Sequence, residues 1–305
     1  MAIDLGAVRD ELRPGLFAVQ GKYPYIPMKY KDVFTTKASK LNTEIATQMA
    51  YLGAAQLKND GGATVVDNRA GQRFKYSITH VGVGIAYAIT RNAIMDSLYK
   101  TEFAPTNLNL MNSHRQTKET LGANVLNNGT TAITGLGGDG QPLFSTSHPV
   151  DGNTWSNTFS TPQSLNESSL NNAQIQIRTG FVDERNLKIM ARAQKLIVPP
   201  NLEPVALRLL HAELRPGTND NDPNVITELG DGSLSKQPVV WDYLTSQYAW
   251  FLKTSVPGMI HFEREAFETD MQPDFITDNL IVKSYERYSF AYTDPRAMFG
   301  TFPTS

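Results

Sequence analysis

The side chains of this sequence that could do chemistry are scattered along it. No two of its five histidines have the spacing of metal ligands, at His80, His114, His148, His211 and His261. Carboxylates gather at residues 263–265 and 268–270, where a solvated or subunit-pairing acidic loop explains them better than a general acid and base. The sequence therefore predicts no catalytic residue, metal site or cofactor.

A glycine-rich segment at residues 135–140 matches the dinucleotide-binding pattern G-x-G-x-x-G. That pattern needs a strand before it and a helix after it, so that a helix amino end meets the pyrophosphate. Here a predicted helix comes before the segment, and Pro142 with an extended stretch follows it. We interpret it as a flexible connector.

Composition excludes several other classes. The net charge is -2 over 305 residues and there is no basic stripe, whereas a protein that grips nucleic acid through phosphates needs one. The absence of cysteine excludes disulfides and thiolate metal sites, and it suits a reducing cytoplasm. No apolar run reaches the roughly 18 residues of a membrane span, so no membrane partner is expected.

The amino-terminal residues 1–40 combine chain breakers with aromatic side chains. Prolines and glycines keep the segment extended, and Tyr23, Tyr25 and Tyr30 need an apolar surface that it cannot build for itself. A loose terminus remains an alternative. The composition favours an arm that docks on another part of an assembly, including a neighbouring subunit.

A helix followed by a hairpin is predicted next. Residues 43–58 have apolar positions at helical spacing, and residues 59–62 (NDGG) end them. Strand-like runs at residues 64–66 and 74–78 flank a charged tip that carries Asp67, Arg69 and Arg73. An ordinary surface hairpin is the alternative to a hairpin that forms ion pairs with an adjacent subunit.

Two further helices are predicted at residues 90–103, ended by Pro105, and at residues 106–127, a rod of roughly 33 Å. On the rod, Leu110, Leu121 and Val125 should face a sheet that contains a carboxyl-terminal strand at residues 281–292, and Lys118 should be exposed. A capping box that starts at Ser164 predicts another helix.

Residues 139–149, DGQPLFSTSHP, follow the rod as a loop in which Leu143 and Phe144 can fill an apolar surface. In this setting the segment resembles the major capsid proteins of tailed bacteriophages, which often carry DG-x-x-LFS-x-x-HP just past their longest helix. Residues 89–91, 196–200, 250–265, 285–287 and 294–297 are also similar to the family, in order and spacing.

The resemblance implies an α+β chain with the Hong Kong 97 phage-type capsid fold. Its parts would be an N-terminal arm (1–40), an extended-loop region (41–85), a peripheral domain with a long spine helix (86–148 and 256–305) and an axial domain (149–255). Because residues 67–73 contain no lysine, covalent chain-linking through the loop is not expected. No helical, charged segment precedes the arm, which implies a separate scaffolding protein.

The implied function is that of a major capsid protein, not an enzyme. Copies would form hexamers and pentamers of an icosahedral shell around non-specifically contacted double-stranded DNA, in the host cytoplasm before assembly and in the virion after it. A portal and a decoration protein are further implied partners. Interface residues would be Tyr23, Tyr25, Tyr30, Asp67, Arg69 and Arg73. The alternatives are an α/β enzyme with the hairpin as a mobile lid, or another virion structural protein.

Overall fold

Twelve strands and five helices are numbered here in chain order. The computed structural model describes residues 26–50, 52–64, 66–67, 71–95, 99–131, 139–212, 224, 226 and 234–304. The helices are α1 Tyr30–Val33, α2 Arg91–Met95, α3 Tyr99–Asn127, α4 Glu167–Gly180 and α5 Glu203–His211, with 3-10 turns at Pro200–Leu202 and Pro295–Ala297. The strands are β1 Thr35–Ala38, β2 Thr43–Ala50, β3 Gly71–Thr79, β4 Val81–Ile89, β5 His148–Val150, β6 Asn153–Trp155, β7 Ala193–Val198, β8 Val239–Val240, β9 Trp250–Thr254, β10 Met259–Pro273, β11 Leu280–Tyr292 and β12 Met298–Thr301.

The largest sheet has the strand order β1-β10-β11-β4, and it carries the long helix α3 on one face. Strands β10, β11 and β4 are antiparallel, whereas β1 runs parallel to β10. Alternate residues of β11 are buried, and two of them, Tyr288 and Phe290, share a core with residues of α3. The predicted rod and the predicted carboxyl-terminal strand therefore pack together, as expected.

A second sheet, in the order β12-β9-β7-β8, forms the core of the central part of the chain. Helices α4 and α5 cover it with buried side chains such as Leu170, Ile177 and Leu209. Strand β12 comes from the carboxyl terminus, so the carboxyl-terminal end of the chain completes this core as well.

The predicted helix at residues 43–58 is wrong. The structure has strand β2 there, which pairs antiparallel with β3 as an isolated two-stranded ribbon. Ile45 and Met49 misled the prediction, because residues four apart share a face in a strand as well as in a helix. The predicted strand at residues 64–66 is also absent from the described part of that segment, and β2 takes its place.

Two predicted helix boundaries are also wrong. Helix α3 runs through Pro105, which removes only one backbone hydrogen bond from a helix of 29 residues. Helix α4 is capped by Asn166 and not by Ser164. The Asn166 side chain accepts the N–H of Ser169, and the Ser169 hydroxyl accepts the N–H of Asn166 in return.

Candidate assembly interface

Residues 139–149 join the two sheets. Phe144 is buried between them, where its ring stacks on Phe251 at 5.3 Å between centroids and meets Phe302 at 5.7 Å. A side chain at Gly300 would lie 2.7 Å from both Phe144 and Phe251, so only glycine fits beside the stacked rings. The expectation that Leu143 and Phe144 fill an apolar surface is confirmed, since both are buried.

A buried asparagine holds this segment in place. The Asn157 Nδ2 amide lies 2.6 Å from the Leu143 carbonyl oxygen, 3.0 Å from that of Pro295 and 3.2 Å from that of Met298. Its Oδ1 accepts the N–H of Ser145 at 3.0 Å. One side chain therefore ties the segment to the carboxyl terminus. Nothing in the sequence marks Asn157 among 21 asparagines.

His148 completes the same network. Its Nδ1 lies 2.6 Å from Asp139 Oδ2, and its Nε2 lies 3.1 Å from Asn157 Oδ1. The imidazole ring also stacks on Trp155 at 4.6 Å, and the Arg296 guanidinium lies 4.7 Å from the centroid of the same indole. The first and last parts of the DGQPLFSTSHP segment are thus bonded to each other.

Polar side chains also line the inner face of the spine helix α3. Lys118 Nζ lies 2.5 Å from Glu286 Oε2, and His114 Nδ1 lies 3.0 Å from Glu286 Oε1. Burial alone would raise the pKa of the Glu286 carboxyl, but hydrogen bonds from His114 and Lys118 and the charge of Lys118 outweigh it and lower that pKa. The prediction that Lys118 is exposed is therefore wrong, because its long side chain reaches a carboxylate on the sheet.

The arm enters the body over the same helix. Glu119 Oε1 accepts the Tyr30 N–H at 3.3 Å, and Arg115 Nη1 donates to the Ile26 carbonyl oxygen at 3.2 Å. The Tyr30 ring is buried against His261 and Phe290, and burial, followed by the charge of Glu263, raises the pKa of its hydroxyl to about 12.

Tyr30 is thus buried against its own chain, while the expected contact of the arm with another part of an assembly, including a neighbouring subunit, stays a prediction. Tyr23 and Tyr25 lie outside the described residues.

Charged residues predicted at the hairpin tip have partners within the chain. Arg73 belongs to strand β3, and its Nη1 lies 2.7 Å from Glu184 Oε2. Asp67 Oδ1 lies 3.3 Å from Arg185 Nη2. Within one subunit these two residues therefore hold the hairpin to the body, and their predicted ion pairs with an adjacent subunit stay a prediction. Arg69 lies outside the described residues.

Large apolar side chains remain exposed at two projecting parts of the described chain. Along the hairpin region these are Ile45, Met49, Leu52, Leu57 and Val66, with Leu57 fully exposed. At the turn between β10 and β11, Phe275 is 99% exposed and Ile276 is 88% exposed. Such groups on projections are typical of surfaces that contact another molecule.

Concave sites offer little for chemistry. A groove of about 760 Å³ lies between residues 52–67 and the turn that carries Arg185, and its lining mixes alanine and leucine with charged side chains, of which Arg185 is paired with Asp67. Among the described residues, no three histidine, aspartate or glutamate side chains are placed to share a metal ion.

Most of the glycine-rich pattern at residues 135–140 lies outside the described residues. No described helix has the length and apolarity to cross a membrane.

Solved structures with a similar fold include phage capsids and a virus-like particle. The capsid of cyanophage P-SCSP1u has a TM-score of 0.57 at 8% identity, covering 93% of this chain and 90% of that one. A virus-like particle from Pyrococcus furiosus has 0.54 at 9% identity, covering 96% and 98%. The bacteriophage JBD30 capsid has 0.52 at 13% identity, covering 94% and 72%. Because the identities are this low, the likeness establishes the fold alone, and that fold is the Hong Kong 97 phage-type capsid fold.

Sequence comparison establishes the family. A search of curated proteins finds no match to this chain. The family described as phage capsid protein matches residues 75–300, which is most of the sequence and includes the DGQPLFSTSHP segment. The chain therefore belongs to the phage capsid protein family and is a major capsid protein that forms the shell of a virion.

Proposed function

We propose that copies of this chain assemble into hexamers and pentamers of an icosahedral shell that encloses double-stranded DNA. One observation carries the proposal: the β2–β3 ribbon forms a sheet of its own that packs on the body through Tyr76 and Ile78, while Ile45 and Met49 on the same ribbon stay exposed. Removing such surface from water on contact with another copy supplies about 25 cal/mol per Å². Repetition over many copies turns moderate contacts into a closed shell.

We assign a role in the proposed shell to each of the segments that the sequence predicts. The arm (1–40) and the extended-loop region (41–85) reach neighbouring copies, while the peripheral domain (86–148 and 256–305) and the axial domain (149–255) form the wall. Tyr23, Tyr25 and Arg69 lie in the proposed contacts, and Asp67 and Arg73 orient the hairpin that makes them. A hairpin lid over an active site, the enzyme alternative, would need polar groups free to act on a substrate, whereas the Arg185 side chain in the groove there is paired with Asp67 and Asp151.

We further propose that the protein has no enzymatic activity and resides in the host cytoplasm before assembly. A separate scaffolding protein, a portal and a decoration protein are proposed partners, and the net charge of -2 supports loose, non-specific contact with packaged DNA.

Shortening the hairpin tests the proposed function. Ala50 and Gly71 are paired across the ribbon, so residues 51–70 can be replaced by Asn-Gly, which forms a two-residue hairpin turn. We expect a folded, soluble subunit with a nearly unchanged melting temperature that makes no shells in gradient sedimentation and negative-stain microscopy. Replacing residues 59–62 by Gly-Ser-Gly-Ser keeps the length and should assemble. Normal shells from the shortened chain would contradict the proposal.

A further inference from the structure

A tight turn at residues 183–187, here named the docking turn, faces the hairpin. The Asp183 carboxylate shapes it, since its Oδ1 accepts the N–H groups of both Arg185 and Leu187 at 2.8 Å. Asn186 has φ 60°, in the left-handed region that asparagine tolerates. These bonds define the shape of the turn, which places two successive and nearly buried side chains, Glu184 and Arg185, between the body and the hairpin.

The Glu184 carboxylate receives both strands of the hairpin. Its Oε1 accepts from Gln48 Nε2 of β2 at 2.7 Å, and its Oε2 lies 2.7 Å from Arg73 Nη1 of β3. Arg73 also donates to the Glu184 carbonyl oxygen at 3.1 Å and to that of Pro149 at 3.3 Å. Glu184, which is 6% exposed, thus joins both strands of the hairpin to the body.

The same carboxylate is fixed from the other side. Arg296 Nη2 lies 2.8 Å from Glu184 Oε1, and Arg296 Nε donates to the Val182 carbonyl oxygen at 2.6 Å. Arg296 is itself buried and paired with Asp294 at 3.2 Å. Glu184 therefore cannot follow the hairpin if the hairpin swings, and its contacts with Gln48 and Arg73 must break instead.

A bulge in the ribbon lies at this contact. Thr47 pairs with Lys75 but Met49 pairs with Gln72, so Arg73 and Phe74 both lie opposite the single residue Gln48. A bulge bends a strand and redirects its side chains. Gln48 and Arg73, the two side chains that contact Glu184, both lie at the bulge. The ribbon is therefore held to the body at the place where it bends.

We propose that Glu184 is a positioning residue for assembly, which fixes the angle at which the extended hairpin leaves the subunit. Tyr76 and Ile78 pack one end of the ribbon on the large sheet, but a two-stranded ribbon is only marginally stable, so the part beyond them needs a further contact to hold its direction. The ion pair of Arg73 with the buried Glu184 carboxylate and its hydrogen bond to the Glu184 carbonyl oxygen supply that direction, and the pair between Arg185 and Asp67 holds the far part of the same region. A hairpin held at one angle contacts the neighbouring copy at one position, whereas a hairpin that is free to swing would contact it at many different positions.

Spin labels can measure the hairpin angle directly, because the chain has no cysteine. Labels at Lys58→Cys and Asn172→Cys, both exposed, report the distance from the hairpin region to helix α4 in the full-length, unassembled subunit. In the Arg73→Gln background we expect the distance distribution to broaden and shift to longer distances. Arg73 is chosen over Glu184 because its loss leaves the buried pair of Glu184 with Arg296 intact.

Two variants make the measurement specific. Lys75→Gln removes the same charge from an exposed position on the same strand and should leave the distribution narrow. Arg73→Lys keeps a cation beside Glu184 and should restore most of the narrow distribution. A distribution in Arg73→Gln that equals the wild-type one would overturn the proposal.

Assembly supplies the second readout. Arg73→Gln should form irregular or open particles, while its melting temperature should stay close to that of Lys75→Gln. If the pair only stabilised the fold, its loss would instead lower the melting temperature. Regular shells from Arg73→Gln with a widened distribution would show that the angle is unimportant and would also overturn the proposal. If the wild-type chain formed no shells at all, the proposed function would fail, while the distance measurement would still decide the hairpin contact.

Discussion

At the scale of single residues, buried polar side chains hold the segments of this capsid protein together. Asn157 and Glu184 each bond groups that lie more than a hundred residues away, and His148 bonds Asp139 to Asn157. Buried polar groups stabilise a fold only when all partners are present, because an unpaired one keeps its full cost of desolvation.

Asn157→Ala should therefore lower the free energy of unfolding by about 2 kcal/mol or more, since each unpaired buried group costs roughly 1–3 kcal/mol. The carbonyl oxygens of Leu143, Pro295 and Met298 would lose their shared donor. Urea unfolding of the purified subunit measures the change. Asn153→Ala, at an exposed position of β6, is the matched control and should be nearly neutral. Equal effects of the two substitutions would contradict the role of Asn157.

His261 should make the subunit sensitive to acid. Burial, reinforced by the nearby Lys118 charge, lowers the pKa of its imidazole from 6.5 to about 4. Between those two values the unfolded chain binds a proton that the folded chain does not. The contribution of this group to stability is thus fully present above pH 6.5 and is lost as the pH falls toward 4.

Replacing the ring tests this. His261→Phe fits the same surroundings of Tyr30 and Phe290 and should flatten the decline in unfolding free energy between pH 6.5 and 4. Each pKa unit corresponds to about 1.4 kcal/mol. Chemical unfolding at a series of pH values measures the slope. The exposed His211→Phe should keep the wild-type slope, and a wild-type slope in His261→Phe as well would refute the assignment.

At the scale of elements, the spine helix α3 is more than an apolar stripe laid on a sheet. One helical face carries Leu110, His114 and Lys118, and the two polar members bond Glu286 on β11. The adjacent pair Arg115 and Glu119, again four residues apart, bonds the arm. Neighbouring faces of one helix therefore position the arm and the sheet relative to each other.

Lys118→Asp should destabilise the subunit strongly. It would place a second carboxylate beside Glu286 in a site from which water is excluded, and breaking a buried ion pair costs about 3–5 kcal/mol. We expect mostly insoluble protein, or a large loss of unfolding free energy in urea where soluble protein is obtained. Gln116→Asp, on the exposed face of the same helix, should express and unfold like the wild type. A stable Lys118→Asp subunit would show that the pair is not needed.

At the scale of the whole molecule, two cores form a wall from which two thin projections extend, the β2–β3 ribbon and the β10–β11 turn. Both projections expose large apolar side chains. In a single subunit these exposed side chains do not contribute to the stability of the fold. In a shell they would add contact area between copies, and the subunit would not need a larger hydrophobic core. A specific protein contact typically buries about 1,600 Å² in total.

The double substitution Phe275→Ser and Ile276→Ser should separate folding from assembly. Both side chains are almost fully exposed, so the unfolding free energy should change by less than about 0.5 kcal/mol. Shell yield in gradient sedimentation should fall, because the turn would lose the apolar surface that it offers to a neighbour. Gln272→Ser, exposed near the same turn, serves as the control and should assemble normally. Full shell yield from the double variant would exclude the turn from the contacts.

Local signals in the sequence were read correctly where they were strong. The long periodic helix, the alternating strand β11 and the apolar plug of Leu143 and Phe144 are confirmed. Asn157 and Glu184 could not be found in the same way. Their importance comes from partners at Pro295, Met298, Arg73 and Arg296, more than a hundred residues away.

By itself, the sequence determined the family, the α+β class and the positions of the most periodic elements, because composition, spacing and a specific segment are local properties. Only the tertiary structure decided whether residues 43–50 form a strand, whether Lys118 is exposed and which way the hairpin is held. Each of those outcomes depends on a partner elsewhere in the chain: β3 for the strand, Glu286 for the lysine and Glu184 for the hairpin. Local patterns carry no information about such partners, since packing and ion pairing are settled only when distant segments meet.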